Sequence, residues 1–249
     1  MGSAGPTAAG GDVLLSVSHL SRRFGRRPAL VDVGFVIRPA EIVGLIGPNG
    51  SGKTTLLECL VGLQPIEHGR VTVSSGTRLG STVFYVPDDV LPYADLYTLD
   101  VLEHLRRLYS TSRAELTRLV DQLGLQPALA TRVRALSRGN RRRLLLALGL
   151  LTPHPVLLLD EPFNGLDLYQ TRATMDLLRT LPASGRTLLL SIHQLSEAER
   201  ICERFLLLAA GRLVGDGTLA ELRMRTGLVD GSLEDVFLAL TPTGTPACA

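Results

Sequence analysis

The chain has 249 residues, 45% of them apolar, and 26 basic side chains against 24 acidic ones leave a net charge of +2. That length and apolar content suit a globular chain of one large or two small domains, and the near balance of charge excludes a surface-wide field for nucleic acid or an anionic membrane. Cys59, Cys202 and Cys248 are widely spaced without a C-x-x-C pair, which argues against a disulfide framework and a zinc site and suits a reducing cytosol.

Residues 1–11 are rich in Gly, Ala, Ser and Pro, without a basic segment or an apolar signal core, so residues 1–12 are expected to form a disordered tail. Val31, Val33, Phe35 and Ile37 alternate as in a half-buried strand, and Glu41-Ile42-Val43-Gly44-Leu45-Ile46 then runs straight into a Gly-rich stretch. A helix is predicted over residues 53–63, with shorter strands at 71–73 and 82–86. The pattern turns helical over 99–151, which reads as a helical lobe inserted at about residues 88–154. Val156-Leu157-Leu158-Leu159-Asp160 is an apolar run ending in an acid, the pattern of a parallel strand buried on both faces, and residues 186–191 repeat it. Helices are predicted at 170–181, 196–204, 219–225 and 233–240, and a second loose tail at 241–249. Alternating strands and helices predict an α/β fold with a mostly parallel sheet. A bilayer span needs about 20 consecutive apolar residues; the densest run, residues 144–151, is far shorter, so residues 13–240 read as a domain that is soluble by itself.

Of the 26 basic residues, Lys53 is the one lysine. It lies in Gly47-Pro48-Asn49-Gly50-Ser51-Gly52-Lys53-Thr54-Thr55, between a predicted strand and a predicted helix. Strand, G-x-x-x-x-G-K-T and helix together make a P-loop, in which small residues let successive backbone N–H groups wrap a phosphate and the helix start adds a positive dipole end. An ammonium is a compact point charge on a flexible stem, whereas a guanidinium is a wide planar fork. A loop closed around a phosphate therefore favours lysine. The Thr54 hydroxyl is placed to ligate Mg²⁺ and Thr55 to reach the α-phosphate region.

Three further stretches follow in order: Leu136-Ser137-Arg138-Gly139-Asn140, Leu159-Asp160-Glu161-Pro162 and Ser191-Ile192-His193. With them the chain resembles the ATP-binding subunits of ABC transporters over nearly everything outside the tails. The resemblance implies a P-loop NTPase core of RecA-like type, an antiparallel β subdomain and an inserted α-helical subdomain. It implies that Asp160 holds Mg²⁺, that Glu161 polarises the attacking water, and that His193 is the switch histidine touching the γ-phosphate and that water. Ser137 and Gly139 match the signature loop, which reads L-S-R-G-N here where the family pattern is L-S-G-G-Q. Asn164-Gly165-Leu166-Asp167 resembles the D-loop at the dimer seam. Phe24 occupies the place of the aromatic that stacks on adenine, although strand-end packing accounts for it equally well. Asp88, in Tyr85-Val86-Pro87-Asp88-Asp89, stands where most relatives carry glutamine and is expected to reach Mg²⁺ or the attacking water. Arg141, Arg142 and Arg143 read as a solvated or interfacial helix face. No aromatics are interleaved for base stacking, so no nucleic-acid partner is expected.

By resemblance, the functional unit is a head-to-tail homodimer that closes on ATP and drives a separate integral membrane permease, contacted through residues 88–98 and the helical lobe. The chain would lie on the cytoplasmic face of the cell membrane. The ending Ser232-Leu233-Glu234-Asp235-Val236-Phe237-Leu238-Ala239-Leu240 resembles the tails of ABC-2-type exporters, which favours export over import. A soluble ABC ATPase and an ATP-dependent clamp are the rival readings. A P-loop GTPase is excluded, because its guanine-reading N-K-x-D motif needs a second lysine.

Overall fold

The computed structural model describes residues 13–74 and 78–241, so the expected tails at 1–12 and 241–249 lie outside the described residues apart from Thr241. Two sheets organise the chain. The smaller is antiparallel, with strand β1 (Leu15–Phe24) between β2 (Arg27–Ile37) and β4 (His68–Val73). The larger has six strands: β5 (Val83–Val86), β6 (Val156–Asp160), β7 (Thr187–Ile192), β3 (Ile42–Ile46), β8 (Arg204–Ala209) and β9 (Arg212–Gly217), in that spatial order. All of its pairings are parallel except that of β8 with β9.

Strands β3, β6 and β7 are buried at every position, as their Val-, Ile- and Leu-rich runs require of strands covered on both faces. Alternation sends Leu157, Leu159, Leu188 and Leu190 to one core and Leu158, Leu189, Val43 and Leu45 to the other. The first core is shared with the helical lobe, α3 (Thr98–Leu108), α4 (Arg113–Gln122) and α5 (Arg138–Leu150). The second is closed by the antiparallel sheet and α1 (Lys53–Leu60). The remaining helices are α2 (Leu79–Thr82), α6 (Leu168–Arg179), α7 (Leu195–Ile201), α8 (Leu219–Thr226) and α9 (Leu233–Leu240).

Register places the site. Ile46 pairs with Ile192 and Asp160 with Ser191, so β3, β6 and β7 end side by side at one edge of the sheet. Ligands in open α/β sheets bind beyond that carboxyl edge. Among the described residues, no helix is long and apolar enough to cross a membrane.

Two elements depart from the expected pattern. Strand β1 is interrupted by register shifts between Val17, Leu20 and Arg22, so its buried positions run 15, 17 and 20 and lose the strict alternation that marks a strand. The helix predicted over 196–204 ends at Ile201, and Arg204 opens β8, where it pairs with Asp216 at 2.7 Å and Glu41 at 3.3 Å.

Candidate functional site

The Gly-rich stretch leaves β3 at Ile46 and turns into α1 through Gly52, whose φ of +107° is open to glycine and strained for any other residue. The fit is also tight: a Cβ at Gly47 would lie 2.2 Å from the Leu208 carbonyl oxygen. Helix α1 has no acidic residue in its first turn, so its N-terminal partial positive charge is not cancelled by a nearby carboxylate on the same helix. Pro48, Asn49 and Gly50 are exposed, Thr55 is half-buried, and Ser51 is buried with an Oγ that has no hydrogen-bond partner. Lys53 is only 7% exposed, and its Nζ donates to Gly47 O at 2.7 Å and to Pro48 O at 3.4 Å. Burial pulls this ammonium below its ordinary value, against the opposing fields of Glu161 and Asp160.

Thr54 comes from the first turn of α1 and Asp160 from the end of β6, 106 residues later, and Thr54 Oγ1 donates to Asp160 Oδ2 at 2.9 Å. The Tyr85 hydroxyl donates to the same oxygen at 3.3 Å; burial and the Asp160 charge push the phenol up, which keeps it protonated as a donor. Asp160 Oδ1 is buried and has no partner. A buried carboxylate oxygen without a donor, beside a hydroxyl, is a donor set that fits Mg²⁺, which takes one or two protein oxygens and completes its shell with phosphate and water.

The next residue, Glu161, has φ +50°, a conformation that costs a non-glycine residue about 1–3 kcal/mol and needs external support. Its N–H donates to Ser191 O at 3.0 Å, and its carbonyl accepts from Arg142 Nε at 2.9 Å. Glu161 Oε2 lies 2.5 Å from His193 Nδ1. The pair opens on a cavity of about 130 Å³ that Asn164, Gly165 and Glu197 also line.

The signature residues lie at the start of α5. Ser137 Oγ accepts from Asn140 N at 3.2 Å and so caps the helix. A Cβ at Gly139 would stand 2.8 Å from Gly165 O, so the signature and the D-loop touch through backbone. Phe24 stands apart at the tip of β1, 46% exposed, with the Arg22 guanidinium 4.7 Å from its ring centre. Lys53, Thr54, Asp160, Glu161 and His193 therefore converge, Ser137 and Gly139 lie at the start of α5 with Gly139 against Gly165 of the cavity wall, and Phe24 stands apart.

The Asp88 carboxylate, expected to reach Mg²⁺ or the attacking water, meets two protein partners. It accepts from Asn164 Nδ2 at 3.1 and 3.2 Å and lies 3.8 Å from Arg142 Nη2. Of the arginine run expected to form a solvated or interfacial face, Arg142 turns inward instead, while Arg141 and Arg143 stay half-buried. Arg142 is 2% exposed, and Arg143 Nη1 donates to Leu123 O and Gly124 O, tying α5 to the end of α4. An arginine triplet alone carries no sign of which member turns inward. Tyr85 and Arg142 are the site neighbours that sequence reasoning missed; position directly before Val86-Pro87-Asp88 was the available signal for Tyr85.

Residues 30–164 match the family model described as ABC transporter. The chain is 31% identical to the ABC-type transporter ATP-binding protein EcsA of Bacillus subtilis (strain 168), over 92% of this chain and 96% of that protein. It is 34% identical to the Nod factor export ATP-binding protein I of Ralstonia nicotianae, over 86% of this chain and 70% of that one. Among solved structures, the ATP-binding subunit of an ABC transporter superposes with a TM-score of 0.84 at 32% identity, covering 92% of this chain and all of its own. With the P-loop fold and these relatives together, the chain belongs to the ABC transporter family as an ATP-binding protein that hydrolyses ATP.

Proposed function

We propose that the chain hydrolyses ATP between two head-to-tail copies of itself and couples that cycle to export through a separate integral membrane permease. The observation that carries the catalytic reading is the meeting of Thr54 with Asp160, next to Glu161 bonded to His193, at the edge where the P-loop ends.

In this reading the loop N–H groups of residues 47–55 and the α1 dipole hold the β- and γ-phosphates, and Lys53 Nζ exchanges its Gly47 carbonyl for phosphate oxygens. Thr54 Oγ1 and Asp160 would hold Mg²⁺, which supplies neutralisation of charge between the phosphates. His193 Nδ1 holds Glu161 Oε2 and leaves the other carboxylate oxygen to accept a proton of the attacking water. The water oxygen bonds to the γ-phosphorus as the bond to the bridging oxygen breaks, and ADP leaves with the electron pair. Thr55 lies toward the α-phosphate, and Phe24 offers a half-exposed face to adenine.

Dimerisation is supported by surface chemistry. Ser137 and Arg138 are exposed at the start of α5, which carries no acid in its first turn and so suits the γ-phosphate of a second copy. Leu168 and Tyr169, just past the D-loop, are 73% and 85% exposed. Val90, Leu91, Tyr93, Leu96 and Leu99 form a half-exposed apolar segment before and into the helical lobe, the surface offered to the permease. In this reading the chain lies at the cytoplasmic face of the membrane, and the export role in the name of the Nod factor relative supports export.

Glu161→Gln tests the reading. Phosphate release is expected to fall a hundredfold or more, while ATP drives the variant into stable dimers on size exclusion. Turnover equal to the wild type would remove Glu161 from the reaction. ATP-driven dimers in a wild type that releases no phosphate would favour the clamp.

A further inference from the structure

The Arg142 guanidinium is the most enclosed charge beside the site. Its Nε donates to Glu161 O at 2.9 Å and its Nη1 to Pro87 O at 2.8 Å, whereas Nη2 is buried with no hydrogen bond. A cation taken out of water destabilises the fold unless it is paired. The carboxylate facing Nη2 is Asp88, at 3.8 Å. Asp160 and Glu161 also act on Arg142, but more weakly than Asp88. One residue further along the segment after β5 and one residue back along α5, Asp89 pairs with Arg141 at 3.3 Å. Two consecutive acids thus meet two consecutive arginines, and the segment after β5 is joined to the start of α5.

Arg142 also touches the strained point of the site, the carbonyl of Glu161 at φ +50°. A shift of this carbonyl rotates the peptide that aims the Glu161 carboxylate toward His193. On the other side, Asp88 is bonded to Asn164 of the D-loop and is followed by the exposed apolar segment at residues 90–99. We propose that Asp88 and Arg142 form one positioning unit: Asp88 is the counter-ion that holds buried Arg142, and Arg142 fixes the backbone of Glu161 and so the direction of its carboxylate. The acid at position 88 is then explained by the cation at position 142 and not by Mg²⁺. Because this inference rests on Glu161 being the catalytic carboxylate, Glu161→Gln is its control.

A double-mutant cycle tests the unit with purified full-length chain: wild type, Asp88→Asn, Arg142→Gln and both together, followed by phosphate release, KM for ATP, the Mg²⁺ midpoint and melting temperature. Each single variant is expected to lower kcat about tenfold or more, with KM and the Mg²⁺ midpoint within about twofold of wild type. The double variant is expected to retain about tenfold more kcat than the product of the single effects, because removing both charges leaves no unpaired cation. Asp88→Glu, which keeps the charge, is expected to stay within a few-fold of wild type. Should Arg142→Gln not fold, the pair Asp88→Asn and Asp88→Glu carries the test: loss in the first and retention in the second supports the unit, and equal behaviour overturns it. Independent, multiplicative losses would also overturn it, as would a tenfold rise in the Mg²⁺ requirement of Asp88→Asn, which would make Asp88 a metal ligand. Full activity in Glu161→Gln would sink the underlying catalytic reading, whereas an inactive Glu161→Gln with an additive cycle would sink only the Asp88–Arg142 unit.

Discussion

At the scale of single residues, Lys53 occupies a space cut for an ammonium. Its Nζ sits between the Gly47 and Pro48 carbonyls, and the side chain is almost wholly enclosed. A guanidinium carries the same charge but spreads it over a planar fork that this loop cannot surround. Lys53→Arg is expected to keep the fold, checked by circular dichroism, and to lose nucleotide hydrolysis on the order of a hundredfold. Near-normal phosphate release would mean that the arginine bias of the chain, and not the cradle, explains its single lysine. The contiguous residues 47–55 were legible because a P-loop is built from neighbours in sequence, with local backbone geometry dictating glycine at Gly47 and Gly52. The partners of Arg142 and Tyr85 were not legible, because they lie 19 and 75 positions away, brought close by the packing of α5 for Arg142 and by the pairing of β5 with β6 for Tyr85.

At the scale of elements, α7 carries a test of the electrostatics around the site. Glu197 lies in its first turn and lines the Glu161–His193 cavity. Burial raises its carboxyl above the ordinary value of 4.5, partly offset by His193 and reinforced by Glu161. A carboxyl raised by folding stabilises the fold fully below its unfolded value, and that stability is lost as pH rises through the folded value. At neutral pH Glu197 is therefore a penalty. Glu197→Gln is expected to raise the melting temperature at neutral pH, with the gain vanishing near and below the ordinary carboxyl value of 4.5; a gain that is independent of pH would refute the assignment. The buried strands β3, β6 and β7 were readable as Val-, Ile- and Leu-rich runs. Strand β1 was not, because its bulges break the period-two pattern that identifies a half-buried strand.

At the scale of the whole molecule, the exposed apolar residues 90–99 and the catalytic edge are joined through the segment after β5. Leu91→Asp places a charge on that surface, 42% exposed in the wild type, without touching the core. Its recovery with sedimented native membranes is expected to drop at least severalfold while its melting temperature stays within about 2 °C of wild type. Recovery equal to wild type would refute the proposed permease contact at this surface. The sequence by itself determined the motifs: a P-loop, an apolar strand ending in Asp160 and Glu161, and His193 after another such strand are local patterns, and the roles proposed for them follow from their residue types. It also determined the α/β class, since hydrophobic period is a local property. Only the tertiary structure decided which arginine of three turns inward, and that Asp88 meets Asn164 and Arg142 while Thr54 meets Asp160. Those contacts depend on strand order and register, which arise from packing the whole core and are written in no single stretch of the chain.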